Sequence, residues 1–317
     1  MSIKFGVQVS QSQMSWDEYL SLCRWIDEDS NFDSLWLADH FLTGFGTAFG
    51  SEGSYLEGWT TLAAVAQTTS RVRLGVLVTG NTYRHPAVLA KMATTVDHIS
   101  GGRLEFGIGG AWHEYEHQAF AIPFHTTRER LERLDEAVQV IKLLWTQPQP
   151  TFQGRYYQLD QPPYNPPNVQ KPHPPILIGG TGEKRTLRTV AKYADVANVS
   201  FDHASPDEVR HKFDVLDQHC REIGRDPSTI RRTVQKAIFL TEDTAIHQRF
   251  IQGFTALRGV TEEEARRCVI LGSVDEAKAQ VQALIDVGVQ EIYVTQLPPW
   301  DLEALVRFSN EVTPEFR

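Results

Sequence analysis

Three short stretches of this chain carry side chains able to do chemistry. Asp39-His40 closes the apolar run Leu35-Trp36-Leu37-Ala38. An imidazole titrates near neutrality and passes a proton in either direction, and a carboxylate beside it can orient the ring or meet a bound group. The pair also fits a structural role, with the histidine bonded to a nearby carbonyl. Gly179-Gly180-Thr181-Gly182 follows a second apolar run and opens a helix. Glycines let backbone amides approach a ligand closely and a helix start attracts an anion, so the turn predicts a phosphate site. Its spacing is not that of a nucleotide P-loop, and a plain tight turn is the alternative.

The third stretch runs from Gly102 to His117. Leu104 to Ile108 is an apolar run that ends in two glycines, then Trp112, His113, Glu114, Glu116 and His117. That order reads as a buried strand opening at its carboxyl end into a polar site. Trp112 is placed either to wall a flat ligand or to pack in the core. His113, nearest the glycines, is the site candidate. Glu114 and His117 can share a helix face, but nothing completes a closed ligand set, so no metal is expected. Val76 to Pro86 ends another run with a polar tail in which His85 is a cap or a packing residue.

These stretches need elements to hold them. Short apolar strands are expected at Ile3–Val9, Ser34–Ala38, Val72–Val78, Leu104–Ile108, Pro175–Ile178, Val196–Val199, Thr233–Leu240 and Glu291–Thr295. Helical patterns stand between most of them: Trp16–Glu28, Tyr55–Ser70, Pro86–Ile99, Thr126–Leu144, Glu183–Tyr193 and Pro206–Ile223, with a last at Asp301–Asn310. Eight apolar strands alternating with helices predict an α/β fold with parallel pairing, a closed (β/α)8 TIM barrel. An open doubly wound sheet would need a glycine fingerprint after the first strand, and Val9-Ser-Gln-Ser-Gln has none. In such folds the carboxyl ends of strands carry the site.

Two stretches break the rhythm, as insertions after strands 4 and 7. Thr146–Pro174 is rich in proline and aromatics and is expected as a hairpin or excursion over the barrel rim. Thr241–Leu271 is charged and expected to be helical. Either can cover a bound ligand or be an ordinary surface loop. No linker composition divides the 317 residues, so 1–317 is read as one domain.

Forty acidic against 31 basic residues give a net charge of −9, which argues against a bulk polyanion such as nucleic acid or an anionic membrane. Cys23, Cys220 and Cys268 lack metal or disulfide spacing and are expected as buried thiols. The chain moves straight into a strand-like run and no apolar stretch reaches membrane-spanning length, so a cytoplasmic protein is expected.

Several blocks recur together in a known superfamily: Ala38-Asp-His-Phe41, Arg73-Leu-Gly75, Tyr83-Arg-His-Pro-Ala-Val-Leu-Ala90, Asp97-His-Ile-Ser-Gly-Gly-Arg-Leu104, Gly107-Ile-Gly-Gly-Ala-Trp112, Glu116-His117 with Ile122-Pro-Phe124, and Pro175-Ile-Leu-Ile-Gly-Gly180. In this order the chain resembles the luciferase-like flavin and deazaflavin oxidoreductases over nearly its whole length. Within them it looks most like the branch that uses coenzyme F420, a deazaflavin. The resemblance implies the same barrel. It implies that Asp39 and His40 meet the deazaflavin head and give acid–base help, with His40 the proton carrier for hydride transfer to or from a small organic substrate. It places a non-proline cis peptide at Leu77-Val78, whose bulge supports one face of the ring. It gives Gly179, Gly180, Thr181 and Gly182 to the cofactor phosphate, and Trp112 and His113 to the fourth-strand rim; many relatives carry asparagine where His113 stands. A homodimer is implied too. The alternative within the superfamily is an FMN-dependent monooxygenase fed by a separate cofactor reductase. A non-catalytic flavin-binding protein is a third reading, against which Asp39-His40 argues. Substrate choice is expected in the loops after strands one, two and four, in Thr43 to Tyr55, and in the two excursions.

Overall fold

The structure, a computed structural model, describes residues 2–42, 55–200, 205–296 and 301–317. In chain order the elements are β1 (Lys4–Gln8), α1 (Trp16–Glu28), β2 (Ser34–Leu37), α2 (Gly58–Thr68), β3 (Arg73–Val76), β4 (Thr79–Gly80), α3 (Pro86–Ile99), β5 (Leu104–Gly109), α4 (Glu114–Ala119) and α5 (Thr127–Thr146). There follow β6 (Thr151–Gln153), β7 (Gln158–Asp160), β8 (Ile176–Gly179), α6 (Thr186–Tyr193), β9 (Val196–Val199), α7 (Pro206–Glu222) and β10 (Arg231–Phe239). The last are α8 (Thr244–Arg258), α9 (Glu262–Arg267), β11 (Val269–Leu271), α10 (Val274–Ile285), β12 (Glu291–Thr295) and α11 (Leu302–Arg307).

Among the described residues, eight parallel strands close into a barrel in the order β1, β2, β3, β5, β8, β9, β10, β12. Closure is the pairing of β1 with β12, from Lys4 opposite Glu291 to Gln8 opposite Thr295. The strands are buried throughout because helices cover their outer face and side chains fill the inside. Local signals fix the helix starts. Ser15 and Glu18 make a capping box on α1, Ser273 and Glu276 make another on α10, and Pro86 occupies the first turn of α3.

The barrel interior is layered. At the amino-terminal end, Arg231 bridges Glu105 and Glu291, and Arg73 Nε lies 2.7 Å from Glu105. Above this lies an apolar layer of Trp36, Leu77, Leu177, Val196 and Tyr293, with the rings of Trp36 and Tyr293 4.9 Å apart. This end is filled, so the opposite, carboxyl end is the mouth.

Several expectations change in detail. The single strand expected at Val72–Val78 stops at Val76. The Leu77-Val78 peptide is cis, and pairing resumes with Thr79 opposite Ile108. Helix α10 went unread between strands seven and eight, although the Ser273–Glu276 capping box marks its start. The Thr146–Pro174 stretch does contain a hairpin, β6 with β7. It does not arch over the mouth. Glu136 of α5 accepts from the amides of Arg155, Tyr156 and Tyr157, and Thr94 and Asp97 of α3 bond Tyr164, Val169 and Gln170. The stretch therefore straps the outside of two barrel helices. Thr241–Leu271 forms α8 and α9 as expected, and adds β11 beside β10. The three cysteines are buried and form no disulfide with one another. Among the described residues no helix is long and apolar enough to cross a membrane.

Strand glycines make room for the bulge. A Cβ on Gly107 would lie 2.1 Å from the Val76 carbonyl oxygen and 3.2 Å from Val78 Cγ1. Backbone cannot retreat as a flexible side chain can. Gly107→Ala is expected to destabilise the protein by about 2–3 kcal/mol. Chemical denaturation at neutral pH checks this, and a loss below about 0.5 kcal/mol would show that the strands are not packed this tightly.

Candidate active site

The site is assembled at the mouth by the ends of β2, β4, β5 and β8. His40 follows β2, and its Nδ1 lies 3.0 Å from Glu116 Oε2, on α4 beyond β5. Glu116 is fully buried. Its other oxygen accepts from the amides of Phe41 and Leu42, and Tyr83 donates its hydroxyl to Oε2. Burial alone would push this carboxyl up. The hydrogen bond and charge of His40, with the Tyr83 and Phe41 bonds, pull it down instead to about 2. Burial and the adjacent carboxylate push the Tyr83 phenol well up, so it stays a donor. An ionised carboxylate only accepts, so His40 Nδ1 carries a proton and Nε2 is left to exchange one.

Asp39 is expected to share the acid–base work, and in the structure it stands in an ion pair. Both its oxygens are taken by Arg84, at 2.7 and 3.0 Å, and Thr79 donates its hydroxyl as well. Arg84 also binds Glu57, and Trp59 Nε1 donates to Thr79 Oγ1 at 3.2 Å. A buried carboxylate in a bidentate ion pair fixes the position of its strand end.

His113 caps α4, its Nδ1 accepting from the Glu116 amide at 3.3 Å, so the proton sits on Nε2. That Nε2 is buried with no partner among the described residues. The ring stacks on Trp112 at 4.8 Å and lies 5.8 Å from the His40 ring. Trp112 also meets His40 edge-on at 5.5 Å and is 53% exposed, so it stands at the rim and not in the core. His117, by contrast, is fully engaged: Nδ1 donates to the His113 carbonyl at 2.8 Å and Nε2 lies 2.7 Å from Thr82 Oγ1.

Leu77 and Val78 form the floor. Gln8 donates to the Leu77 carbonyl at 2.7 Å, and the Leu77 amide donates to Leu37 at 2.8 Å. The Val78 side chain lies over Gly107, Gly109 and Gly179, where added Cβ atoms would stand 2.8–3.2 Å from its methyls. The glycine turn follows. The Gly180 amide donates to Asn198, so it is spent inside the sheet and not offered to a ligand. Its φ of +130° instead turns the chain. Among the described residues the amides of Thr181 and Gly182 have no acceptor, and Arg185, which precedes α6, gives it no side-chain cap. Uncommitted amides in a glycine turn suit an anion. The Thr43 to Tyr55 loop lies almost wholly outside the described residues.

Residues 1–256 match the family described as luciferase-like monooxygenase. The chain belongs to that family. An F420-dependent glucose-6-phosphate dehydrogenase of Kineococcus radiotolerans is 31% identical, over 92% of this chain and 90% of the relative. An FMNH(2)-dependent dimethylsulfone monooxygenase of Pseudomonas putida is 26% identical, over 74% of this chain and 65% of the relative. The solved coenzyme F420 dependent tetrahydromethanopterin reductase from Methanopyrus kandleri superposes with a TM-score of 0.81 at 20% identity, covering all of both chains. The barrel is thus the family's barrel.

Glu116, Tyr83, Arg84 and Thr79 escaped the sequence reading as site residues. Glu116 stood in a conspicuous titratable cluster, but no spacing joins it to His40, 76 positions earlier. A carboxyl held at about 2, below its ordinary 4.5, adds stability that is complete above 4.5 and lost as pH falls towards 2. Glu116→Gln is therefore expected to cost about 3 kcal/mol at pH 7. The gap from the parent protein should narrow below about pH 4. Denaturation at both pH values measures it, and a gap independent of pH would refute the ionised pair.

Proposed function

We propose that this chain is an oxidoreductase that binds coenzyme F420 at the barrel mouth and moves hydride between it and a small organic substrate, with His40 as acid and base. The observation that carries the reading is the His40–Glu116 pair, a proton-carrying imidazole held by a buried carboxylate on the same rim as an anion-ready glycine turn. The residues fit such a cofactor: three glycines flatten the floor under Val78, and the turn offers uncommitted amides to an anionic tail. The similarity to proteins named as F420-dependent supports the same choice.

When bound, the deazaflavin would give or accept the hydride. The chain supplies everything else. Thr181 and Gly182 bind the anionic tail through their amides. Leu77 and Val78 support one ring face, and Arg84 and Thr79 fix Asp39 beside it. His40 Nε2 takes or gives the substrate proton, while Glu116 keeps Nδ1 protonated and stabilises the imidazolium. A second reading, a monooxygenase using reduced FMN from a separate reductase, is favoured by the Pseudomonas putida relative.

Titration of the purified protein with F420 and FMN side by side, followed by fluorescence, tests the choice. F420 is expected to bind at least ten-fold more tightly. The reverse order would favour the monooxygenase. His40→Ala is expected to keep cofactor affinity within about three-fold and to slow turnover roughly 100-fold or more. Unchanged turnover in that variant would remove His40 from the mechanism.

A further inference from the structure

The segments that join each barrel strand to the next helix are almost free of positive charge. By sequence, the joins after β1, β2, β5, β9, β10 and β12 contain no lysine or arginine. The join after β4 has only Arg84, which is fully committed to Asp39 and Glu57. The join after β8 has Lys184 and Arg185, at the glycine turn proposed for the cofactor tail, and Arg185 lies 3.2 Å from Glu132. That turn stands three strands from His40, roughly 14 Å along the rim. In the α8–α9 excursion Arg249 is exposed, Arg266 bonds Gln248 and Arg267 faces Asp207, and the ammonium of Lys236, on β10, is buried on the Arg267 carbonyl at 2.7 Å.

What surrounds His40 instead is aromatic. Trp112 meets it edge-on. Tyr115 and Phe120, 65% and 50% exposed, continue the surface, with Phe120 5.2 Å from Phe41 and Tyr115 6.4 Å from His113. Exposed aromatics grouped at a site offer flat apolar area with little entropy to lose. The buried Nε2–H of His113 still needs an acceptor, and leaving such a group without one is unfavourable. Burial holds His113 below its ordinary pKa, so at neutral pH it offers a neutral donor and no charge. A positive charge on His40 is offset by Glu116. Among the described residues beside His40 the cation a phosphate dianion would meet is Arg84, already paired with Asp39 and Glu57, and the nearby carboxylates would repel the dianion.

We infer that the substrate is an uncharged aromatic alcohol or ketone, its ring against Trp112 and its oxygen taken by the imidazoles of His40 and His113, and that phosphorylated sugars are not substrates. This deepens the proposed function and rests on His40 marking the reacting centre.

The test uses acetophenone and glucose 6-phosphate as probes. Saturation-transfer NMR on the protein without cofactor reads binding directly. Acetophenone is expected to receive saturation, the signal falling at least five-fold in Trp112→Ala, and glucose 6-phosphate to receive none. Turnover of 1-phenylethanol by the F420-loaded enzyme should exceed that of glucose 6-phosphate at least 100-fold in kcat/KM, and Trp112→Ala should raise KM ten-fold with kcat within three-fold. Saturable binding of glucose 6-phosphate with none of acetophenone overturns the inference. So does an acetophenone signal that Trp112→Ala leaves intact. Failure of F420 to bind, with acetophenone still on Trp112, would instead count against the cofactor reading.

Discussion

Glu116 is a charge taken out of water, and the mouth of the barrel is arranged around keeping it so. Desolvating a carboxylate is unfavourable by several kcal/mol unless its lone pairs are filled. Here two backbone amides, a phenol and an imidazole fill them. The amides belong to the residues after His40 and the phenol to the loop after β4. Satisfying one carboxylate therefore pins three separate segments to one point. The same bonds fix which nitrogen of His40 carries a proton, so the constraint that stabilises the rim also sets its chemistry.

A second ion pair does comparable work one residue earlier. Asp39 and Arg84 are joined by two hydrogen bonds and tied to Glu57 and Thr79. Together the two networks brace adjacent residues from opposite sides. The floor is braced separately, by Gln8 on the Leu77 carbonyl and by glycines that leave room for Val78. The turn after β8 is left polar and open. Among the described residues of the rim, the Thr181 and Gly182 amides, Asn81 Oδ1 and His113 Nε2 have no protein partner.

Much of this was readable along the chain. The runs Leu35–Ala38, Leu104–Ile108 and Pro175–Ile178 announced buried strands, and the polar residues after them announced the mouth. Resemblance placed the cis peptide at Leu77-Val78, where the structure has it. Helix α10 was missed although its capping box is a local signal, and the outward course of Thr146–Pro174 was missed because a strap is defined only by what it binds. The pairing of Asp39 was hidden for a related reason. Its neighbour in sequence is a histidine, but its partner in space is Arg84.

The sequence by itself determined the alternation of strand and helix, the end of the barrel that carries polar groups, and the identity of His40. These follow from short-range order, since apolar runs must be buried and glycine turns must bend. Only the tertiary structure decided that His40 pairs with Glu116 and Asp39 with Arg84. Closing the sheet brings the ends of β2, β4 and β5 within hydrogen-bond reach across a gap of 76 residues, and electrostatic pairing depends on that distance in space.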